Sequence, residues 1–557
     1  MDIKKILADS IDCTVDGVNF YDLIIPSISA DKGDYCLPCF TLSKALKQNP
    51  MKIAEDIANS IKSNDYIAKA EVVAGYVNFF LNKAKVTEEI IGNFDINDIK
   101  SNEGKGKVVC IDYCSPNLAK YLHIGHLKTL IIGESLARLF ENYGYTVKRL
   151  NFIGDYGTPF GKILGGIEKW GSIEDVRARG NDALQDYYVK FNQMEEKDES
   201  YTQLARDIFK KIEDKDPTVY PLYEEVIRIS LADAKEKFIK LGVSFDDYRG
   251  EMYYNQYVPE VVSILEKANL LKDSEGAKIV DLSEYDMAPA IILKSDGTSI
   301  YTSRDLSAAI NRYKDYHFDK MIYVTDVAQS LHFKQWFKIV ELLGYDYAGG
   351  LEHLPYGRFS LPDGKISSRR GRQAVLVDLI EYASNKAKDI IKDRKFEIED
   401  PNNVVNKVTS AVLNYNVLKV ERIKDCVFDV DKAFSFEGET APYMQYTYTR
   451  IESIVRKYKG KEENADYTFV NETAFELVKA INDFKEVVRT SLNKRDSSLI
   501  CKNVMEMCKT FNKFYTNTKV LDGSDKEIRA KINLILALKD VLKMGFNFIC
   551  IDTLKEM

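Results

Sequence analysis

The chain has 557 residues, of which 45% are hydrophobic and 29% are charged, with a formal net charge of −7. This length allows three or four domains of ordinary size, and the composition is typical of a soluble protein with ample material for a core. The longest apolar stretches, such as residues 532–538, fall well short of the roughly 20 residues of a membrane span, and residues 1–5 lack the apolar centre of a signal peptide. We therefore expect a cytoplasmic location and no membrane partner.

The cysteines and the overall charge narrow the possible functions further. Nine cysteines over this length do not form the dense pattern of a disulfide framework. Cys36 and Cys39 form a CxxC pair, but no second pair follows at a zinc-like spacing. We expect small, half-buried side chains there, no structural zinc and no other protein-bound metal. The negative net charge excludes a uniformly basic nucleic-acid-binding surface but allows a local basic face.

The first segment, residues 1–104, mixes helical periodicity with one strong strand at residues 75–81. It ends in a linker at residues 101–106, where glycine and charged residues interrupt both periodicities. We expect residues 1–104 to form an α+β domain.

The second segment, residues 105–375, has the pattern of a nucleotide-binding α/β domain. Its predicted elements follow in the order strand, helix, strand, strand and strand, at residues 107–113, 126–143, 146–153, 290–294 and 320–325. A helix is predicted after the last of these strands. This alternation indicates a Rossmann-like parallel sheet.

Two further regions complete the predicted organisation. The charged, tyrosine-rich stretch at about residues 165–280 interrupts the α/β pattern and is interpreted as an insertion. From residue 376 to 557 the pattern is helical almost throughout, with charged faces and few glycines, which predicts an all-α bundle.

The central motif is His123-Ile124-Gly125-His126, which lies between the first predicted strand of the sheet and the helix that follows it. Unpaired N–H groups and the helix dipole favour an anion at this position of an α/β fold. Two imidazoles three positions apart can face one ligand, and Gly125 would let a flat base approach the backbone. Taken alone, the two residues could equally be one surface histidine and one core histidine.

His123–His126 resembles the HIGH motif of class I aminoacyl-tRNA synthetases, and residues 112–126 are similar to the corresponding segment of arginyl-tRNA synthetases. The resemblance implies an ATP-dependent enzyme, with Mg²⁺ on the ATP phosphates, that converts L-arginine to arginyl-adenylate and releases pyrophosphate. The arginyl group would then pass to the 3′-terminal adenosine of tRNA(Arg), giving AMP. Members of the family are usually monomers, so the resemblance also implies a monomer.

A second segment, residues 365–369, resembles the KMSKS loop of the same enzymes, although a solvated basic loop would have a similar composition. Its position about 240 residues after the first motif favours the functional interpretation. Ser368 replaces the second lysine of the general motif, and many arginine enzymes instead carry a lysine just before HIGH. In this chain that lysine is Lys120, which leads to the hypothesis that Lys120 contacts phosphate.

The resemblance implies two overlapping sets of residues at the reaction centre. The catalytic residues would be His123, His126, Lys365, Lys120 and Arg369. The ATP-binding residues would be Ser115, His123, Gly125, His126, His332, Lys365 and Ser367. Positioned cations and N–H donors suit this role, because negative charge moves onto pyrophosphate in the transition state.

A planar guanidinium with five N–H donors is best recognised by carboxylates. Tyr301 and Asp305 lie four positions apart, on one face if the segment is helical, and resemble arginine-binding positions of the family. The resemblance adds Gln329, Asn117 and Asp112, the last at an acidic position of the same pocket. Each residue taken singly could be a helix cap or a surface group.

The predicted tRNA-binding residues are Tyr443, Tyr446 and Arg450, at the start of a helix in the all-α region. Aromatic rings interleaved with cations suit an RNA loop, although core tyrosines of a bundle would give the same pattern. Residues 154–157 resemble a GDWG-like turn of the family, with Tyr156 in place of tryptophan. Residues 1–104 resemble the N-terminal domain that contacts the outer corner of the tRNA.

Two alternatives remain open at this point. The first is another class I synthetase, for cysteine, glutamine or glutamate. Cys110 and Cys114 do not make a convincing zinc-ligand set for a cysteine enzyme, and acids at Asp112 and Asp305 disfavour an acidic substrate. The second is a catalytically silent tRNA-binding or scaffolding protein of synthetase descent. Intact catalytic side chains argue against this alternative, because a silent protein has no chemical reason to keep them.

Overall fold

A computed structural model describes residues 1–362, 375–392, 400–460 and 464–556. The chain forms two compact units. The first unit contains Met1–Ile99, Thr447–Val487 and Asn503–Met544, and the second contains Lys100–Tyr446, Val488–Lys502 and Gly545–Met557.

The N-terminal part of the first unit is an antiparallel sheet with helices, as predicted for an α+β segment. Its strands have the spatial order β1-β2-β4-β3. Asn49 and Pro50 show why one helix begins where it does, since the Asn49 side chain accepts from a backbone N–H and Pro50 takes the first helical position. The elements are α1 (Ile3–Ser10), α2 (Phe20–Leu23), β1 (Ile25–Pro26), β2 (Tyr35–Pro38), α3 (Phe40–Leu46), α4 (Pro50–Asn59), β3 (Ile67–Val73), β4 (Tyr76–Leu81) and α5 (Lys83–Gly92).

The second unit contains most of the strands and helices that position the site. Its strands are β5 (Val108–Tyr113), β6 (Thr146–Leu150), β7 (Leu271–Ser274), β8 (Ala277–Val280), β9 (Ala290–Leu293), β10 (Lys320–Asp326), β11 (Leu351–Tyr356), β12 (Phe359–Ser360) and β13 (Cys426–Val427). Its helices are α6 (Gly125–Asn142), α7 (Thr158–Trp170), α8 (Ile173–Arg179), α9 (Asn181–Glu195), α10 (Ser200–Glu213), α11 (Tyr220–Lys240), α12 (Glu251–Asn255), α13 (Val258–Lys267), α14 (Tyr301–Tyr316), α15 (Ser330–Leu342), α16 (Leu376–Lys392), α17 (Pro401–Leu418) and α18 (Val430–Ala433).

The central sheet of the second unit is parallel, with the strand order β11-β10-β5-β6. The chain runs from β5 through α6 to β6 on one side, and from β10 through α15 to β11 on the other. β5 is buried along almost its whole length, which explains its β-branched, apolar sequence. The predicted Rossmann-like parallel sheet is confirmed.

The prediction that residues 290–294 belong to this parallel sheet is wrong. The strand exists as β9, but it pairs antiparallel with β8 in a separate three-stranded sheet that also contains β7. The connection between β8 and β9 is too short for the crossover of a dozen or more residues that parallel strands need. The helices α7 to α13 and this small sheet lie in sequence between β6 and β10.

Helix α6 packs closely on β5 because Gly133 has no side chain. A Cβ at Gly133 would lie 2.2 Å from Cγ of Tyr113, the last residue of β5. The Tyr113 hydroxyl donates a hydrogen bond to Glu134 at 3.0 Å in the same helix. Thr129 joins two strands: its hydroxyl donates to the Val324 carbonyl of β10 at 2.9 Å and accepts from the Cys114 N–H at 3.2 Å.

Beyond the second unit's strands, the C-terminal region is helical, as predicted. Its long helices are α19 (Ala441–Lys457), α20 (Glu472–Lys494), α21 (Ser498–Asn517) and α22 (Asp525–Phe548). Within the described residues, no helix is both long and apolar enough to cross a membrane.

Residues of the N-terminal segment contact these helices inside the first unit. Lys83 forms an ion pair with Glu472 and lies 5.7 Å from the ring centroid of Phe475. The Met1 ammonium group donates to the Asn482 side chain at 2.9 Å.

All nine cysteines are free thiols. Cys13 is partly exposed, and the other eight are buried, including Cys36 and Cys39 of the CxxC pair. Burial raises the pKa of Cys39 to about 11 and that of Cys110 to about 12. Both residues of the CxxC pair are more buried than the sequence suggested.

Candidate active site

The candidate site lies at the carboxyl ends of β5 and β10. The chain leaves these two neighbouring strands in opposite directions across the sheet, so the strand order reverses between them. Ligands of open α/β sheets bind in the crevice at such a switch point. We use the term crevice for the space at the carboxyl ends of β5 and β10. The loop after β5 carries the first motif, and the segment after β10 carries Gln329 and His332.

The two motif histidines lie against each other at the N-terminus of α6. The centroids of the His123 and His126 rings are 3.7 Å apart, with an interplanar angle of 37°. The His126 N–H donates to the His123 carbonyl at 3.0 Å, which closes the turn that begins α6. The two imidazoles therefore lie side by side at the start of α6, and their binding of one ligand stays a prediction.

Backbone hydrogen bonds orient both imidazoles. The Gly125 N–H donates to Nδ1 of His123 at 3.1 Å, and the His123 N–H donates to Nδ1 of His126 at 3.0 Å. A ring nitrogen that accepts an N–H carries no proton, so the Nε2 of each neutral ring carries it and can act as a donor. Nδ1 of His126 also lies 3.2 Å from the His123 carbonyl, but that carbonyl already accepts the His126 N–H.

Both rings stay neutral because charging them is unfavourable. Burial, together with the neighbouring His123, lowers the pKa of His126 to about 3. Burial also lowers the pKa of His123. Two neutral Nε2–H donors at a helix N-terminus suit a phosphate, since they add no like-charge repulsion between the rings.

Gly125 has a structural role in the first turn of α6. A Cβ there would lie 2.8 Å from Cε1 and 2.9 Å from Nδ1 of His123. The space that a side chain would take is therefore occupied by the His123 ring, and the approach of a flat base to this backbone stays a prediction. Gly125 allows the imidazole to fold back onto the first turn of α6.

The loop between β5 and α6 is held in a strained shape. Cys114, at the start of the loop, and Ala119, in its middle, have φ values of 57° and 59°, a region that non-glycine residues rarely adopt. The Ala119 N–H donates to the Ser230 hydroxyl at 2.7 Å. Between these two residues Ser115 and Asn117 are exposed, as residues that touch a ligand must be.

Asn117 and Lys120 have defined neighbours in this loop. Asn117 forms a parallel bridge with Gly154, where an added Cβ would lie 2.4 Å from Oδ1 of Asn117. The Lys120 ammonium lies 4.9 Å from the ring centroid of Tyr188 in α9. Tyr188 is therefore the group that Lys120 contacts in this structure, and phosphate contact by Lys120 stays a hypothesis.

Helices α14 and α15 bring Asp305, a predicted arginine-binding residue, into contact with His332. Asp305 Oδ2 lies 2.5 Å from Nε2 of His332, which was expected on the ATP side. Tyr301 begins α14 and is 64% exposed, and Gln329, just before α15, is also exposed. Asp305 and His332 are therefore in direct contact, and the side chains of Tyr301 and Gln329 are accessible to a ligand.

Asp112 lies beneath this surface, with only 4% of its area exposed. Its Oδ2 accepts a hydrogen bond at 2.6 Å from Arg312, which is also buried and lies 200 positions away in the sequence. The Arg312 guanidinium lies 5.2 Å from the Phe152 ring centroid and 5.4 Å from that of Tyr254. No local pattern in the sequence marks Arg312, because it lies so far along the chain from Asp112.

A second cluster that the sequence did not reveal lies around Arg304 on α14. Its guanidinium pairs with Glu251 at 3.2 Å and lies 4.7 Å from the ring centroid of Tyr156. Burial is the main cause that raises the pKa of Glu251 to about 7 and that of Asp155 to about 6. Tyr156, in the turn after β6, donates its hydroxyl to Glu213 at 2.5 Å. The tyrosine at the tryptophan position of the family turn therefore has a structural contact of its own.

The KMSKS-like residues Lys365, Ser367, Ser368 and Arg369 lie outside the described residues. The segment that precedes them, through Pro362, belongs to the second unit.

The predicted tRNA-binding residues lie along α19. Tyr446 packs against Phe436 with ring centroids 6.3 Å apart. Arg450 donates to the Asn512 side chain at 2.5 Å and lies 5.0 Å from the Tyr515 ring centroid. Tyr443 and Tyr446 belong to the second unit and Arg450 to the first.

Three family models match this chain in consecutive segments. Residues 89–430 match the catalytic domain described as tRNA synthetases class I (R). Residues 444–557 match the DALR anticodon binding domain, and residues 1–81 match the arginyl tRNA synthetase N terminal domain.

Curated relatives match over nearly the whole chain. The chain is 38% identical to the arginine–tRNA ligase of Halothermothrix orenii over 566 residues, covering 100% of both proteins. It is 40% identical to that of Clostridium beijerinckii over 532 residues, covering 95% of this chain and 94% of the relative.

Solved structures share the fold. The arginyl-tRNA synthetase of Thermus thermophilus superposes with a TM-score of 0.81 at 21% identity, covering 100% of both chains. That of Plasmodium falciparum gives a TM-score of 0.78 at 23% identity, covering 100% of this chain and 98% of the other.

Proposed function

Since the chain belongs to the class I arginyl-tRNA synthetases and is an arginine–tRNA ligase, we propose that it activates arginine in the crevice at the carboxyl ends of β5 and β10. One observation carries this assignment. His123 and His126 follow β5 while Asp305 and His332 meet beside β10, so phosphate-binding donors and a carboxylate flank one switch point.

In the proposed activation step, a carboxylate oxygen of arginine forms a bond to the α-phosphorus of ATP, and the bond from that phosphorus to pyrophosphate breaks. Nε2–H of His123 and of His126 donates to phosphate oxygens. Lys365 and Arg369 supply positive charge to the departing pyrophosphate, and Ser115, Gly125 and Ser367 complete the ATP site. Removing one such donor is expected to raise the barrier by about 3–4 kcal/mol.

Mg²⁺ is proposed to bind to the phosphates of ATP. Among the described residues, no group of three or more His, Cys, Asp or Glu side chains could hold a metal ion. Mg²⁺ commonly keeps several waters and binds through substrate phosphates.

Lys120 is proposed to swing from Tyr188 to the phosphates when ATP binds. A lysine stem has enough rotatable bonds for this, and a cation–π contact at a partly exposed site is worth only about 0.5–1 kcal/mol. Lys120→Ala should then slow arginine activation more than about twofold with little change in melting temperature. A smaller effect on activation would remove Lys120 from the proposed site.

The arginine side chain is proposed to bind Asp305, Tyr301 and Gln329, while Asn117 holds the backbone groups of the substrate. Asp112 is proposed to form the floor of the same pocket, where Arg312 balances its charge. Lysine is rejected because a point charge cannot satisfy planar acceptors bidentately.

The transfer step and the partners complete the proposal. A terminal ribose hydroxyl of tRNA(Arg), the 2′-OH first, attacks the carbonyl carbon of arginyl-adenylate, and AMP leaves. Tyr443, Tyr446 and Arg450 bind the tRNA. We assign residues 1–104 to a tRNA-contacting domain, 105–375 to the catalytic domain with an insertion at 165–280, and 376–557 to an anticodon-binding domain. The enzyme acts as a monomer in the cytoplasm, where protein synthesis uses its product.

The test is aminoacylation of bulk tRNA with each of the twenty labelled amino acids in turn. Only arginine should give acid-precipitable label, and the reaction should require ATP and Mg²⁺. Charging with glutamine, glutamate or cysteine would identify a different class I enzyme. A folded protein that binds tRNA but charges it with none of the twenty would identify a silent relative.

A further inference from the structure

Lys128 is completely buried, with 0% of its surface exposed. It lies in α6, two residues after His126. Lysine is among the residues least often fully buried, because its ammonium group must lose its water. A buried lysine next to a catalytic motif therefore needs a specific explanation.

The Lys128 ammonium binds two backbone carbonyls from distant parts of the chain. Nζ donates to the carbonyl of Gly357 at 2.8 Å and to that of Lys424 at 2.8 Å. These partners are 229 and 296 positions away in the sequence. The ammonium also lies 6.0 Å from the ring centroid of Tyr356, the last residue of β11.

The two carbonyl-bearing segments are also joined to each other. The Gly357 N–H donates to the Arg422 carbonyl at 3.0 Å, and the Arg358 N–H donates to Asp425 Oδ1 at 2.7 Å. Immediately beyond, β12 and β13 pair in parallel. A Cβ at Gly357 would lie 2.5 Å from the Ile423 carbonyl, so the backbones approach as closely as glycine permits.

Lys128 thus lies where three functional segments meet. One is the start of α6, which carries His126. The second is the chain from Gly357 toward Pro362, which leads in sequence to Lys365. The third, residues 421–428, connects α17 to the helical C-terminal region.

Burying an ammonium group costs more free energy than filling the same space with an apolar side chain. Burial lowers the pKa of Lys128, while Cys426, Asp425 and Asp326 oppose that change. Replacing a buried ion by an apolar side chain of similar volume often costs no stability. Packing alone would therefore be served by methionine, whereas holding two carbonyls at fixed positions requires a multiple donor.

We propose that Lys128 is a positioning residue for arginine activation, which fixes the histidine-bearing turn of α6 against the chain that leads to Lys365 and against the segment that leads to the tRNA-binding helices. This inference rests on the proposed function. Lys128 itself contacts no substrate. It acts by holding the three segments at fixed positions relative to one another. This matters because a displacement of about 1 Å at a reaction centre can cost roughly 100-fold in rate.

The experiment compares Lys128→Met with Lys128→Arg. Arginyl-adenylate formation is measured with saturating tRNA, and the folded fraction is checked by circular dichroism. We expect Lys128→Met to lower kcat about 10- to 100-fold while the KM for arginine changes less than about twofold, because the side chains proposed to bind the guanidinium, Tyr301, Asp305 and Gln329, lie on α14 and before α15. Lys128→Arg can donate to both carbonyls and should recover most of the rate.

Lys531→Met is the matched control. Lys531 is also buried, at 5% exposure, and its ammonium lies 2.9 Å from the Asp522 carbonyl and 3.5 Å from that of Lys519 in the first unit. It also pairs with Glu527 at 2.8 Å, which Lys531→Met would leave without its counter-charge. It should lose stability without losing kcat at saturating tRNA. If Lys128→Met does not fold, Lys128→Gln, which keeps one neutral donor group, replaces it in the same measurement.

The inference is overturned if the folded Lys128 variant keeps the wild-type kcat, or if Lys531→Met lowers kcat equally. It is also overturned if Lys128→Arg folds but recovers no activity. All of these results would leave arginine charging by the wild-type chain unaffected, so failure of this inference is distinct from failure of the proposed function.

Discussion

The Asp305 carboxylate has two binding partners. It contacts the His332 imidazole in this structure, and in the proposed reaction it binds the guanidinium of arginine. His332 comes from α15 and Asp305 from α14, so their contact fixes where the carboxylate points before substrate arrives. A preorganised acceptor loses less entropy when it binds.

Asp305→Asn should weaken arginine binding by about 2–5 kcal/mol, since it leaves a desolvated guanidinium without its counter-charge. The lower figure corresponds to a rise of roughly 30-fold in the KM for arginine, with a much smaller change for ATP. Steady-state kinetics with each substrate varied measures this. Asp315→Asn, on the exposed part of the same helix, is the control, and an unchanged KM for arginine in Asp305→Asn would refute the pocket.

Glu251 gives the site a pH-dependent stability. Burial raises the pKa of its carboxyl to about 7 from an ordinary 4.5, while Arg304 opposes the shift. Between pH 4.5 and 7 the folded state binds a proton that the unfolded state has released. The stabilisation from this group is therefore fully present below about pH 4.5 and is lost as the pH rises through 7.

Glu251→Gln should abolish this dependence. Relative to the variant, the wild type should lose on the order of 2 kcal/mol of unfolding free energy between pH 5 and pH 8. Urea unfolding at the two pH values measures the difference, in which the other titrating groups cancel. If the difference in unfolding free energy between wild type and variant is the same at pH 5 and pH 8, Glu251 titrates normally.

At the scale of single elements, close packing sets which substitutions the catalytic sheet tolerates. Gly133→Ala should destabilise the protein by about 1–3 kcal/mol, because the new methyl group would overlap the buried Tyr113 ring. Gly349→Ala, where an added Cβ meets nothing within 4 Å, should be nearly neutral. Denaturant midpoints compare the two, and equal values would mean that α6 can shift away from β5 at no cost.

The sequence predicted the elements with a strong, self-contained pattern. β5, α6, β6 and β10 appear within a few residues of the predicted bounds, because each has a clear periodicity and a terminating polar or glycine residue. β9 was assigned to the wrong sheet, since an apolar run predicts a strand but not its partner. The His123–His126 pair was found from local spacing, whereas Arg312, Arg304 and Lys128 became visible only through contacts between residues far apart in the chain.

At the scale of the whole molecule, the N-terminal segment and the C-terminal helices share one compact unit. Met1–Ile99 groups with Thr447–Val487 and Asn503–Met544, and contacts such as the Lys83–Glu472 ion pair join them. Linear order along the chain gave no indication of this grouping, because nearly 350 residues lie between the two parts.

Deleting residues 1–99 should therefore destabilise the C-terminal helices as well as remove a domain. Calorimetry of the shortened chain should show a lower melting temperature for the transition that includes α20, whose contacts with Lys83 and Met1 are lost. A transition at the temperature of the full chain would mean that these helices are stable by themselves.

The distribution of thiols has a practical consequence for labelling the first unit and detecting its binding partners in solution. Maleimides react with accessible thiolates, and eight of the nine cysteines are buried, with the pKa of Cys39 and Cys110 raised far above neutrality. A fluorescent maleimide should attach first at Cys13, near the end of the first helix. The natural sequence thus offers a single-dye label, whose anisotropy can report when a large RNA joins the protein.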